Sequence, residues 1–493
     1  MRKKPNSYPL AGLSMTTCEQ SEPPATLPPV KSARLSAELF TIPVEDGYLI
    51  YAPLRQAAFL TNAEVVNFIA DLQAGHVNTS LPDYEALLEF LRRLEIVDAG
   101  YECKPITTFT GPPKPTLVSL FITTACNLRC SYCFASAGDT PVRVMPLDVA
   151  KRGIDFVIAN AVELRRDQIE ISYHGGGEPR LNWATLTGSY DYAVQEATAR
   201  GLKVQAYLAT NGVMPDHKID WVIRHISGVS LSFDGLPEVH DAHRVNAHGK
   251  GTAASVIQTI RRFDEAKFPY GLRLTVTREH IEKMEASVRF ICQNFKPKRI
   301  VLEPAFLMGR WREAPATETE DFIAGFRAAQ TAAQEFGREI LFSGVRLDLL
   351  SNHFCGSTKD SFGLTADGSV SACYETFMPE NEWSKVFFYG RYVPEEGTYE
   401  FNMPVLESLR RQSVEHRPFC HGCFAKWTCS GDCYHKLLCV NGDSEFRGSD
   451  RCHVTRELTK DQILDRIGKA GGLIWHEERK ENNGKIQGKE MLI

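Results

Sequence analysis

At 493 residues the chain exceeds what one ordinary hydrophobic core organises, so two to four domains are expected. With 43% hydrophobic and 24% charged residues it has globular composition, and a net charge of −5 gives no reason to expect a nucleic-acid partner. No apolar run approaches the roughly 18 residues of a membrane span, and the basic start MRKKPNSYPLAGLSMTTC has too short an apolar segment, broken by prolines, for a signal peptide, so the expected location is the cytoplasm.

Residues 1–35, including SEPPATLPPVKS, are rich in Pro, Ser and Thr without a period and read as a disordered arm. A compact α+β module is expected over 36–110. ELFTIP and GYLIYAP are strand patterns about the Asp46-Gly47 turn. TNAEVVNFIADLQAG reads as a helix with an N-cap at Thr61 or Asn62 and Gly75 as terminator, and LPDYEALLEFLRRLEIVDAG as an amphipathic helix leading into a strand. TGPPKPT is a linker.

Over 115–315, strand patterns alternate with helical ones. The strands are TLVSLFIT, QIEISYH, KVQAYLA, GVSLSFD, GLRLTVT and RIVLEP. Six β-then-α units imply a parallel sheet, open or curled into a partial barrel. The unusual loops, holding Cys126–Cys133, GGGEP, TNG and DG, follow the first four strands. In such sheets ligands bind at the carboxyl ends of the strands, so four such loops at one edge predict one site. Residues 316–350 look helical, with 316–352 bridging to a cysteine-rich region at 353–456. Residues 457–493 should continue as a helix through TRELTKDQILDRIGKAGGLIWHEER before a polar tail.

In a reducing compartment, fourteen cysteines point to metal or catalytic thiolates rather than disulfides. Cys18, Cys103 and Cys292 stand apart and read as incidental or buried thiols. Cys126, Cys130 and Cys133 follow a C-x3-C-x2-C rhythm, one ligand short of a four-iron cluster or a structural zinc site. No His lies within forty residues of Cys133, although His174 could approach in space; the alternative is an iron left open for a ligand that is not protein.

This spacing at a first strand resembles the radical S-adenosylmethionine (SAM) enzymes, with Phe134 as the usual apolar follower. GGGEP, ATNG and SFDG are similar to that family's next strand-end motifs, and HDAHR to the element that supplies an arginine to the methionine carboxylate. The resemblance implies a [4Fe–4S] cluster on Cys126, Cys130 and Cys133, with SAM contacts from Gly175, Gly176, Gly177, Glu178, Asn211, Ser232 and Arg244. It also implies reductive cleavage of SAM to a 5′-deoxyadenosyl radical, fed by a donor such as flavodoxin or ferredoxin.

Cys355, Gly368, Cys373, Cys420, Cys423, Cys429, Cys433 and Cys452 are spaced like the SPASM extension of that family. TADGSVSAC itself reads as a tight hairpin returning Cys373 to Cys355. The resemblance implies two auxiliary [4Fe–4S] clusters, the outer on Cys420, Cys423, Cys429 and Cys452. The inner one, on Cys355, Cys373 and Cys433, has its fourth ligand unassigned. Cys439 is spare: that ligand, a redox-active thiol, or, as preferred, a buried small residue.

The 36–110 module resembles winged-helix-like leader-recognition modules, which implies β-augmentation by the leader of a ribosomally made precursor peptide. The expected fold is therefore α/β: a partial (β/α)6 radical SAM barrel between an N-terminal winged-helix-like α+β module and a C-terminal SPASM domain. The expected activity is oxidative peptide maturation by a C–C, C–O or thioether crosslink or a dehydrogenation. An anaerobic sulfatase-maturating enzyme making formylglycine is the rival, and a non-catalytic zinc adaptor the rival of another class. His174, Asp234, Glu303 and Tyr374 are candidate bases by location.

Overall fold

The computed structural model describes residues 34–76, 83–100, 102–442 and 445–477; almost all of the expected N-terminal arm, with Cys18, lies outside them. Fifteen strands fall into two sheets. The smaller is antiparallel, in the order β1 (Phe40–Val44), β2 (Gly47–Ala52), β3 (Ala57–Thr61) and a strand from the far end of the chain, β15 (Ile474–His476). Beneath it lie helices Ala63–Gln73 and Tyr84–Arg93. The first is capped by Asn62, whose Oδ1 accepts from the Val65 N–H at 3.1 Å. The expected strand after the second helix is a lone bridge from Val97 to Leu35.

The C-terminal strand departs from the expected continuous helix. The helix Asp450–Lys469 stops before Gly471 and Gly472, both with positive φ, and Leu473 onward turns back along β3. Leu60 N–H donates to the Leu473 carbonyl at 2.9 Å and Glu477 N–H to the Gln56 carbonyl at 3.1 Å. Leu49, Tyr51 and Ala58 then pack against Ile463 and Ile467, with Trp475 alongside. Trp475→Ala should cost about 1–3 kcal/mol of stability. Hydrogen exchange should rise selectively in β2 and β3, and unchanged protection there would refute the role given to Trp475.

The larger sheet carries the parallel strands β4 (Leu117–Leu120), β5 (Gln168–Tyr173), β6 (Lys203–Thr210), β7 (Gly228–Ser232), β8 (Tyr270–Val276) and β9 (Arg299–Pro304), neighbours in chain order. A short seventh, β10 (Ile340–Leu341), lies parallel to β9. It interrupts the 316–350 segment expected to be helical, where the helix is confined to Thr319–Gln334. At the other edge β11 (Gly363–Leu364) pairs in parallel with β4, and β12 (Ser369–Ser371), β13 (Phe388–Val393) and β14 (Thr398–Phe401) continue antiparallel. The cysteine-rich region is thus built onto the first strand of the parallel sheet. Gly368, φ +84, makes the β11–β12 turn, a conformation that a side chain would disfavour.

The parallel strands alternate unusually for strands covered by helices. Ile169, Ile171, Ala206, Leu208, Leu231, Leu272, Leu274, Ile300 and Leu302 are buried in the main core. Their neighbours Ser172, Tyr207, Ser230, Ser232, Arg273 and Thr275 are only half-buried. Alternate residues face opposite sides of a sheet, so one face packs on the helices and the other is a polar concavity.

Candidate active site

Cys126, Cys130 and Cys133 sit on the loop after β4, at the carboxyl end of that concavity. The loop is held from three sides. Arg129 folds back, donating from Nη1 to the Cys126 and Leu128 carbonyls at 2.9 and 2.8 Å. Arg129 and Ser131 N–H groups donate to the Val245 and His243 carbonyls at 2.7 and 3.0 Å. From beyond β9, Arg310 donates from Nη1 to the Cys130 carbonyl at 2.8 Å and pairs through Nε with Asp139 at 2.6 Å.

The thiols are close enough to perturb one another. Burial pushes Cys126 up to about 12, with Glu178, Cys130 and Cys133 adding to it. Burial likewise pushes Cys130 up to about 11 against the pull of Arg244. Buried thiols of this kind ionise at the expense of desolvation unless a cation joins them. Three soft donors with no fourth protein thiol in the group could hold an iron–sulfur cluster with one iron open.

The residues expected around SAM are placed as follows. Gly175, Gly176, Gly177 and Glu178 form the loop after β5, and the Glu178 N–H donates to the Ala125 carbonyl at 2.8 Å. A Cβ on Gly177 would lie 2.4 Å from the Ala125 oxygen, and one on Gly176 2.2 Å from the Phe377 ring. Glycine here lets three loops touch. Gly177→Ala should therefore displace the thiol loop, and iron retained at that site per protein should fall at least several-fold while helix content stays constant.

The Glu178 carboxylate accepts from Thr210 Oγ1 and Asn211 N–H, both at 2.8 Å, and its burial raises its pKa. It ties the β5 and β6 loops together. The Asn211 amide reaches Asn127 Oδ1 at 2.9 Å and Cys126 Sγ at 3.8 Å. Ser232 ends β7 on the concave face, half-buried. Arg244, for which the resemblance implied a contact to a methionine carboxylate, pairs with a protein carboxylate. Its Nε and Nη2 donate to Asp234 at 2.8 and 3.0 Å, and its guanidinium lies 5.1 Å from the Tyr132 ring centre.

Seven of the other described thiols fall into two groups by mutual influence: Cys355, Cys373 and Cys433 in one, Cys420, Cys423, Cys429 and Cys452 in the other. The first group borders the concavity. Tyr374, next to Cys373, stacks on His174 at 4.6 Å and shares a hydrogen bond of 2.8 Å with Ser119 of β4. Cys439 is exposed, not buried as preferred from the sequence. Among the described residues no three of His, Cys, Asp and Glu converge closely enough for a single metal ion.

Residues 120–291 match the Radical SAM superfamily. This segment is a radical SAM domain. The chain is 25% identical over 166 residues to the cysteine-type anaerobic sulfatase-maturating enzyme of Clostridium novyi (strain NT), 32% of this chain and 44% of that protein. It is 29% identical over 179 residues to the mycofactocin maturase MftC of Mycolicibacterium smegmatis, 36% of this chain and 41% of that one. The chain thus spans less than half the length of these curated relatives. Its fold is similar to that of native anSMEcpe with bound AdoMet, with a TM-score of 0.59 at 18% identity over 72% of this chain and 98% of that one.

Within and beside the radical SAM domain, the candidate bases are mostly committed. Burial raises the Asp234 carboxyl, but Arg244 outweighs this and holds it at about 2; Arg451 does the same for Glu303. Burial lowers His174 to about 4, leaving a neutral imidazole against Tyr374. The residue that sequence reasoning missed is Arg310. Its one signal was Gly309, beyond the sixth strand, where a Cβ would meet the Cys133 carbonyl oxygen at 2.3 Å. No helix among the described residues is long and apolar enough to cross a membrane.

Proposed function

We propose that the chain is a radical SAM enzyme that oxidatively modifies a ribosomally made precursor peptide. The observation carrying this reading is that two thiol groups border one polar concavity, Cys126, Cys130 and Cys133 on its rim after β4 and Cys355, Cys373 and Cys433 beside Tyr374. In this reading the first group holds a SAM-binding [4Fe–4S] cluster, and the second and the Cys420, Cys423, Cys429 and Cys452 group hold auxiliary ones. When bound, cluster and SAM supply a 5′-deoxyadenosyl radical. The protein's part is to fix the thiol loop through Arg129 and Arg310, and to set the β5 and β6 loops through Glu178. Among the described residues no three such donors converge on one point, as a zinc site requires with every sulfur about 2.3 Å from the metal.

Among the described residues the edge strands of the smaller sheet are β1, five residues long, and β15, three residues long, and an extended leader would add to the longer edge, β1. An external low-potential donor such as flavodoxin or ferredoxin completes the system. Anaerobic reconstitution with iron, sulfide and SAM, plus small peptides encoded beside the gene, tests this. Loss of two hydrogens from a peptide, read by mass spectrometry and abolished in Cys126→Ala, supports it; deoxyadenosine with every such peptide unchanged counts against it. The sulfatase-maturating relative and fold neighbour favour a second reading. It predicts a hydrazide-reactive formylglycine on a sulfatase-derived Cys or Ser peptide. Colourless zinc protein would sink both.

A further inference from the structure

The three thiols Cys355, Cys373 and Cys433 lie among polar groups that are nearly all engaged with one another. Cys373 starts a tight turn in which the Thr376 N–H donates to the Cys373 carbonyl at 3.2 Å. The buried Ser371 hydroxyl braces the same turn, reaching the Cys373 and Thr376 carbonyls at 3.1 and 2.6 Å. Cys433 precedes the helix Tyr434–Asn441, and the Leu437 N–H fixes its carbonyl at 3.0 Å. Two residues beyond each of these thiols stands a polar side chain, Glu375 after Cys373 and His435 after Cys433, and these meet with His435 Nδ1 3.0 Å from Glu375 Oε2.

That charged contact is the one partner seen for Glu375 Oε2 among the described residues, and this oxygen is buried with no further hydrogen bond. A carboxylate oxygen so placed keeps acceptor capacity that the protein does not use. Two residues past Cys373 and paired with the residue two past Cys433, Glu375 joins the two thiol-bearing turns, and its charge pushes both thiols up. Its neighbours are otherwise engaged. The Ser357 hydroxyl lies on the Cys355 sulfur at 3.1 Å, and the Tyr374 hydroxyl on Ser119 at 2.8 Å. Cys439 is exposed, six residues past Cys433, and touches only the outer side of the pair, 3.8 Å from His435 Nδ1.

We propose that the Glu375 carboxylate is the fourth protein ligand of the inner thiol site, with His435 as its supporting partner and Cys439 outside the ligand set. The assignment rests on the reading above that Cys355, Cys373 and Cys433 hold an iron–sulfur cluster. Ligating carboxylates are themselves held by neighbours, and His435 serves this purpose, its ring stacked on Phe387 at 5.5 Å. A hard oxygen donor among soft thiolates makes one iron distinct from the other three.

The test uses the full chain carrying Cys126→Ala, Cys130→Ala and Cys133→Ala, reconstituted anaerobically so that only the auxiliary sites hold iron. The probe is 13C-labelled cyanide, read by electron–nuclear double resonance of the reduced protein, with iron and sulfide counted in parallel. The parent should show no 13C coupling. Adding Glu375→Ala should open the corner and produce coupling at unchanged iron content, while Glu375→Cys should abolish the coupling again and Cys439→Ala should behave as the parent. If Glu375→Ala instead loses one cluster's iron, its return in Glu375→Cys supports the assignment and failure of both Glu375→Cys and Glu375→Asp to restore it overturns it. Coupling in the parent, coupling on Cys439→Ala, or none on Glu375→Ala at full iron also overturns it. A parent that binds no iron overturns the underlying cluster reading itself.

Discussion

Arg451→Met is expected to be the most damaging single substitution in the chain. The side chain is 6% exposed, and its guanidinium serves Asp432 at 2.9 Å, Glu303 at 3.1 Å and Ser343 at 3.3 Å. Glu303 ends the sixth parallel strand, Asp432 precedes Cys433, and Arg451 precedes Cys452. One cation therefore joins the parallel sheet to both auxiliary thiol groups. Methionine keeps the stem that packs near Phe342 but leaves two buried carboxylates facing each other. Removing one partner of a buried pair costs roughly 3–5 kcal/mol, and here two pairs go at once. The variant should lose at least that much stability in denaturant titration and, on the function proposed above, iron from both of these thiol groups. Arg451→Lys should fall between, since an ammonium cannot reproduce the fork to two carboxylates. Denaturation midpoints that coincide with wild type would show the pairs to be energetically idle.

Asp234→Asn should have the second largest effect. Asp234 is fully buried and accepts from Arg244, the Tyr132 hydroxyl and the Thr275 N–H, the last at 2.9 Å. The amide keeps the shape but strands the Arg244 charge behind Cys130, again about 3–5 kcal/mol. The pH dependence has a definite sign. Arg244 depresses the folded carboxyl to about 2, below its unfolded value near 4, so its contribution is complete above about pH 4. It is lost as the pH falls from there to about 2. The stability gap between wild type and Asp234→Asn should be constant from pH 8 to 5 and narrow below pH 4. A gap unchanged at pH 3 would rule out an ionised Asp234 as its source.

The parallel sheet was legible because each strand announces itself by apolar residues at every second position, as in Gln168–Tyr173 and Tyr270–Val276. The hairpin β13–β14 was readable in principle, since FYGRYV is rich in aromatic and β-branched residues and TYEF alternates polar with aromatic ones about the Pro394–Gly397 turn. The strand β3, AAFLT, hid because two alanines give no strand pattern, and β15 because three residues, IWH, shortly after a helix continue its rhythm. At the site, the thiols Cys126, Cys130 and Cys133 were visible because one short loop carries all three. The partners of Arg244, Arg310 and Arg451 were not, since nothing local fixes which carboxylate or carbonyl a guanidinium will meet across 10, 171 or 148 positions. For Arg244 the fold supplies Asp234, ten positions away, as a partner that the local sequence does not name.

The pairing of β3 with β15 joins two segments between which a ribosome delivers every strand of the larger sheet. Until Ile474 emerges, the backbone of β3 has no fourth strand, and Leu49, Tyr51 and Ala58 lack the helix residues that cover them. An unpaired strand edge and an uncovered apolar face are what molecular chaperones bind and what misassembles in their absence. The thiol loops are all synthesised within that interval. Loading of the thiol loops and closure of the small sheet thus become separate events in time, and a chain cut before Ile474 would carry every thiol loop yet keep β3 open and sticky.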